Sequence, residues 1–288
     1  MRSMISRYLP KKFRKEGTLI PVVRMQGAIM TGGSQFRPAL NLATVAPVLN
    51  KAFSLKQSPA VAIIVNSPGG SPVQSRLIYQ RIRALAEEKG KKVYIFVEDV
   101  AASGGYMIAL AGDEIYADET SIVGSIGVVS GGFGFPELLK KIGVERRVYT
   151  AGENKVILDP FQPEKESDIE ILKSLQLDIH QVFIDMVKAR RGAKLADSEE
   201  IFSGLFWTGT KGKDLGLIDG LGHMREVLKQ AYGEKTRFEL ISGARSMFGR
   251  RVPGVNVSTE MAAAGADGAV QALAQTAEEK ALWGRFGL

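Results

Sequence analysis

Two stretches constrain this fold more than any others. Residues 60–70, AVAIIVNSPGG, and 91–106, KKVYIFVEDVAASGGY, run through apolar residues without strict alternation and end in glycine-rich turns. A continuous apolar strand is buried on both faces, which happens where helices cover both sides of a parallel sheet. Between the two lies PVQSRLIYQRIRALAEEKG. It carries Leu77, Ile78, Ile82 and Leu85 at helical spacing and Gly90 to end it. Strand, helix and strand in this order predict a right-handed crossover in a parallel α/β sheet.

The flanking segments extend the pattern. TLIPVVRMQGAI reads as a strand, and NLATVAPVLNKAFSL as a helix with Leu42, Val45, Val48, Leu49 and Phe53 spaced for one face. DEIYA, SIGVVS and VERRVYT read as short strands and GFPELLKKIG as a short helix. Residues 164–191 read as a long helix with acidic first turns. From about Gly249 the chain turns rich in Ala and Gly, with a helix expected over 269–282. Its apolar end, WGRFGL, is either a loose terminus or a segment that docks in a groove. The expected division is a basic arm over 1–17, a main domain over 18–248 and a tail over 249–288.

Composition narrows the chemistry. There is no cysteine, which excludes disulfides, thiol catalysis and cysteine-held metals. Two histidines, His180 and His223, are too few for a histidine-rich metal site and read as local structure. No apolar run approaches the roughly 20 residues of a membrane-spanning helix, and the N-terminus lacks the apolar core of a secretory signal. A cytoplasmic location or one at the membrane edge is therefore expected. The arm supplies +5 of the net charge of +7. It reads as a solvated arm or a contact for anionic lipid heads. Nucleic acid is not an expected partner, because aromatics are few in the arm and the remaining body is nearly neutral.

Neighbouring parallel strands bring the turns after residues 67 and 102 to the carboxyl edge of the sheet, where open α/β sheets bind ligands. Backbone N–H groups of Gly69 or Gly70 and of Gly104 can aim at one point there, as in an oxyanion hole. Ser103, between alanines and glycines, is either a tight packing joint or a nucleophile. A serine needs a base, and with histidine scarce the base is a lysine. Such a lysine acts only when uncharged, so it needs desolvation and distance from carboxylates. Glu98 and Asp99 are therefore expected to point away from it. Most lysines fall in charged, solvated runs such as KGKK and LLKK, whereas Lys155 in TAGENKVILDPF precedes an apolar run. Trp207 in FWTG reads as packing.

NSPGG, ASGGYMIALAGDEIYA, GSIGVV, GENKVILDPFQP and FWTGTKGKDLGLIDGLG, in this order, resemble the signal peptide peptidase A family of serine-lysine peptidases, SohB-like members included. The likeness covers residues 19–232. It implies a crotonase/Clp-protease-like α/β fold, with repeated ββα units around a mostly parallel sheet. It also implies Ser103 as nucleophile, Lys155 as general base and Ser125 as a hydrogen-bond partner of that lysine. The oxyanion donors would be the N–H groups of Gly104 and of Gly70 or Gly69. No metal or cofactor is implied. The implied partners are extended peptides such as signal-peptide remnants and further copies of the chain, in rings or bowls, octamers included. The competing functions are a crotonase-like acyl-CoA enzyme, which would place a carboxylate at the reacting centre, and a degenerate scaffold. Retention of Ser103 and Lys155 argues against the scaffold.

Overall fold

The computed structural model describes residues 17–32, 39–242, 276–277 and 279–288. Nearly all of the expected basic arm and most of the expected tail lie outside these residues. The strands are β1 (Leu19–Gln26), β2 (Ala60–Ser67), β3 (Lys92–Ala102), β4 (Glu114–Ala117), β5 (Ile122–Gly124), β6 (Phe206–Thr208), β7 (Gly220–Leu221) and β8 (Arg237–Leu240). They form one sheet in the order β6-β5-β3-β2-β1-β8, with β4 beside β3 and β7 beside β4. Every pairing is parallel except β5 with β6. The mostly parallel α/β sheet expected from the sequence is therefore present.

Both faces are covered, which explains the unbroken apolar runs. Ile63, Val65, Val93 and Ile95 face a core that includes Ile78, Ile82 and Phe183 from the helices Pro72–Lys89 and Glu166–Arg191. Ala60, Ala62, Tyr94 and Phe96 face the other way, onto Leu228 of the helix Met224–Tyr232.

The central strand β3 forks. It pairs with β4 through Tyr94–Val97 and then with β5 through Val100–Ala102. On its other side, the register with β2 shifts between Val65 and Ser67. Asn66 occupies the irregularity, donating to Asp99 at 2.6 Å and accepting from the Val100 N–H at 3.2 Å. A bulge re-aims the strand end that follows it, and here that end is Ser103.

Four sequence readings change. Leu77 is 36% exposed, while Ser75, Ile78, Ile82, Leu85 and Ala86 form the buried stripe of its helix. One residue from Ile78 is a rotation of about 100°, enough to leave that stripe. The strand expected in SIGVVS lies earlier, at Ile122–Gly124, because Ser125 adopts φ +53° and ends the extended run. VERRVYT forms no strand. It lies in a segment exposed nearly throughout from 129 to 156, with no sheet edge recorded to satisfy a strand's backbone. Lys91, in the run taken as solvated, is 8% exposed, and its Nζ donates to the Leu55 carbonyl at 2.6 Å. Burial pulls its pKa below the ordinary lysine value, with the nearby Lys89 charge adding to the effect. Lys91 nevertheless cannot serve Ser103. The length of β3 separates them, roughly 30 Å at strand rise.

Candidate active site

Ser103 sits where β3 ends and the short helix Gly104–Ala109 begins. Its backbone holds φ +51° and ψ −121°, a costly conformation for a residue with a side chain. The strain is held by neighbours on both sides. The Ser103 N–H donates to the Gly124 carbonyl at 2.8 Å. After it, Tyr106 is fully buried, and its hydroxyl donates to the Leu217 carbonyl at 2.6 Å. Burial pushes the Tyr106 phenol's pKa upward, so this donor stays protonated. The Ser103 hydroxyl has no protein hydrogen-bond partner among the described residues.

The glycines bring the two turns together. A Cβ on Gly69 would lie 2.8 Å from Ser103 Cβ and 2.9 Å from the Gly104 nitrogen. The Gly69 N–H is already directed to Ser67 Oγ at 3.3 Å. Ile29 brackets Gly70, donating to the Gly69 carbonyl at 2.8 Å and accepting from the Ser71 N–H at 2.7 Å. That bracket turns the Gly70 N–H away from Ile29, and the N–H has no partner among the described residues. The Gly104 N–H, at the first position of its helix, also has no partner among the described residues. Of the glycines singled out from the sequence, Gly70 and Gly104 thus have donors to spare, while that of Gly69 is engaged.

A cleft of about 450 Å³ opens here, lined by Ser103, Gly104, Gly70, Ile29, Met107 and Val129 among others. No carboxylate is among its described lining residues. Glu98 pairs with Arg24 at 2.6 Å, and Asp99 accepts from Asn66, so both acids near Ser103 in sequence are engaged elsewhere. Lys155 does not line the cleft either. It is exposed, in a turn closed by its own N–H to the Gly152 carbonyl at 3.3 Å. Within one copy, therefore, the structure brings Ser103, Gly70 and Gly104 together and leaves Lys155 outside.

Ser125 is buried, one residue beyond β5, and its N–H donates to the Leu205 carbonyl at 2.7 Å. Trp207 packs beneath this turn, where a Cβ on Gly124 would come within 2.8 Å of its ring. His180, read from the sequence as local structure in its helix, reaches across the fold. Its Nε2 lies 3.0 Å from the Ile126 carbonyl and fixes the segment after Ser125. Nothing local in the sequence marks that contact. His223 precedes its helix, exposed, 3.7 Å from Asp118.

A Cβ on Gly70 would fall 2.1 Å from the Ile29 carbonyl oxygen at φ +135°, so Gly70→Ala is expected to displace this turn and lower the thermal unfolding midpoint.

Comparison with known proteins adds an independent line. The model of Peptidase family S49 matches residues 85–236, just over half of the chain. The chain is 63% identical over 291 residues to the Na(+)/H(+) antiporter NhaA of Brucella abortus (strain 2308), covering 99% of this chain and 39% of that protein. It is 31% identical over 208 residues to the chloroplastic serine protease SPPA of Arabidopsis thaliana, covering 72% of this chain and 30% of that one. It is 34% identical over 182 residues to the putative protease MJ0651 of Methanocaldococcus jannaschii, covering 63% of this chain and 57% of the relative. The chain thus spans less than two thirds of each of these relatives.

Proposed function

The chain belongs to peptidase family S49, and from that premise we propose that it is a serine endopeptidase in which Ser103 attacks and Lys155 acts as the base. The observation that carries the reading is Ser103 itself. Among the described residues, this strained serine's hydroxyl has no hydrogen-bond partner, no carboxylate lines the cleft it faces, and the two backbone donors beside it are unpaired. In the proposed reaction the uncharged Lys155 amine takes the proton from Ser103 Oγ as Oγ bonds to the peptide carbonyl carbon. The resulting oxyanion accepts from the N–H groups of Gly70 and Gly104. The C–N bond breaks as the lysine ammonium protonates the departing amine, and a water activated by the same amine then cleaves the ester. Ser125 orients the lysine.

Because Lys155 lies outside the cleft of its own chain, a second copy supplies it, so the working enzyme is a homo-oligomer. The exposed segment around Lys155 supports this. Val129, Phe133, Leu138, Ile142 and Tyr149 are all more than half exposed there, an apolar surface suited to a neighbouring subunit. The substrates are extended peptides, signal-peptide remnants and membrane-edge segments among them, bound as an added strand. The basic arm provides the contact with anionic lipid.

The transport named for the Brucella proteins is not carried over, since the match leaves most of those proteins outside it and the matching family model is a peptidase's. Among the described residues, no helix is long and apolar enough to cross a membrane.

The test is labelling by a serine-reactive phosphonate with turnover of a fluorogenic peptide. Wild type takes the label at Ser103 and cleaves the peptide, whereas Ser103→Ala, with an unchanged circular dichroism spectrum, does neither. Normal turnover by that variant overturns the assignment.

A further inference from the structure

The stretch LDPFQPEKESD, residues 158–168, carries four acids against one lysine, with two prolines that keep its first half from continuing as a helix. It begins in a turn opened by Asp159. The Asp159 carbonyl accepts from the Gln162 N–H at 3.1 Å and its Oδ1 from the Phe161 N–H at 3.1 Å, as aspartates do at turns. Two further bonds draw neighbouring segments toward this turn. The Phe135 N–H donates to the Pro160 carbonyl at 2.6 Å, and the Leu158 N–H donates to Asp168 Oδ2, on the helix Glu166–Arg191, at 3.1 Å. Between these segments lies a cavity of about 560 Å³.

The Asp159 side chain is 5% exposed, and the residue lines this cavity. Arg146, which is not among the lining residues, donates to Asp159 Oδ1. That bond holds the Asp159 carboxyl below the usual aspartate range, so it is ionised at neutral pH. Oδ2 is buried and has no hydrogen-bond partner among the described residues. A buried carboxylate oxygen without a donor costs free energy, which a ligand recovers by donating to it. Glu164 and Asp168 add negative charge to the lining and Lys165 offsets part of it, while Phe135, Leu158 and Leu172 supply apolar surface. The cavity also adjoins the cleft of Ser103. Val129 lines that cleft, and Ser130, the next residue, lines the cavity.

We propose that this cavity takes the side chain of a lysine or arginine from a peptide lying along the Ser103 cleft. The ammonium or guanidinium donates to Asp159 Oδ2, and the methylene stem rests on Phe135 and the leucines. Either group carries more donors than one oxygen accepts, and the remainder face the exposed Glu164. A bare metal ion suits the cavity less. It would leave the apolar lining uncovered, and no group of three or more acids or histidines among the described residues could hold one. The same pairing of cation, ring and carboxylate already exists beside the cavity. There the Arg146 guanidinium lies 4.8 Å from the Phe161 ring centre while it bonds Asp159. The use of the cavity in substrate choice rests on the peptidase reading, but its capacity to bind a basic side chain does not.

The experiment uses the full chain carrying Ser103→Ala, so that nothing is cut. Two fluorescein-labelled octapeptides are compared by fluorescence anisotropy. They are identical except that a central lysine in one is norleucine in the other, which keeps the stem and lacks the ammonium. The lysine peptide is expected to bind about tenfold tighter, the scale of one hydrogen bond to a charged group. Adding Asp159→Asn, which keeps the shape, erases that preference and leaves the norleucine peptide unaffected. Adding Glu164→Lys instead, at an exposed position the fold tolerates, cuts the preference severalfold. Equal affinity for the two peptides, or a preference that survives either substitution, overturns the site. Should Asp159→Asn fail to fold, Glu164→Lys decides alone. Restoring Ser103 then tests the other half, since KM for a fluorogenic peptide with lysine falls below that of its norleucine twin. A lysine preference in binding with no cleavage of any peptide leaves the site standing and refutes the peptidase reading. Cleavage without that preference does the reverse, so the two failures are distinguishable.

Discussion

Mixing Ser103→Ala chains with Lys155→Ala chains is expected to restore peptide cleavage that neither variant shows alone. Each substitution by itself is expected to lower kcat by about 10⁴-fold or more, the scale on which a nucleophile or its base fails. The recovery follows from where the two side chains stand. Ser103 lines its cleft, while Lys155 is exposed and absent from that cleft in the same chain. If each site takes its serine from one copy and its lysine from a neighbour, random assembly of equal amounts leaves about one quarter of the sites intact. The check is to unfold, mix and refold the two variants, then measure turnover of one fluorogenic peptide against wild type. Sites made within one chain yield no recovery at any mixing ratio, and that outcome would remove the shared site. Full activity in Lys155→Ala alone would remove the lysine from the chemistry.

Asp219→Asn is expected to lower stability by about 3–5 kcal/mol, the usual cost of removing one partner from a buried ion pair. The Arg191 side chain is 2% exposed and pairs with Asp219 at 2.8 Å, and Lys194 reaches the same carboxylate at 2.6 Å. Asp219 also accepts the Ile115 N–H of β4 at 2.8 Å, and the Arg191 Nε donates to the Gly216 carbonyl at 2.8 Å. One carboxylate thereby joins β4, the end of the helix Glu166–Arg191 and the loop whose Leu217 anchors Tyr106 behind Ser103. Asparagine keeps the shape and leaves the guanidinium without its counter-charge.

Burial alone would raise the Asp219 pKa, but the hydrogen bond from Arg191, followed by that from Lys194, holds it below the usual aspartate value. A depressed folded-state value adds stability above the unfolded aspartate pKa of about 3.9 and loses it as pH falls through the folded one. Urea unfolding at neutral pH reads the first effect. A series descending through pH 4 reads the second, and the wild type loses a component there that the variant no longer has. An unchanged urea midpoint in Asp219→Asn would show that the pair contributes nothing.

The element types near the site were legible in residues 60–106 because burial on both faces leaves an unbroken apolar run, and the glycine turns follow from close backbone approach. Gly69 shows the second point, since no side chain fits between that turn and Ser103. VERRVYT misled for a related reason. Val, Tyr and Thr favour strands only where a neighbouring strand accepts their hydrogen bonds, and that segment has none recorded. His180 carried no local signal because its partner, the Ile126 carbonyl, is 54 residues away in sequence.

The sequence by itself determined the sheet, the place of Ser103 at its carboxyl edge and the need for glycine beside it, because patterning and backbone sterics act over a few residues. Only the tertiary structure decided which turn donors remain free, that Lys91 is buried far from the site, that Lys155 stands outside its own cleft and that Phe286 packs against Val100 and Ala102 of β3. Those outcomes depend on which distant segments meet. Desolvation and hydrogen-bond competition are properties of the packed chain, and no local pattern of residues encodes them.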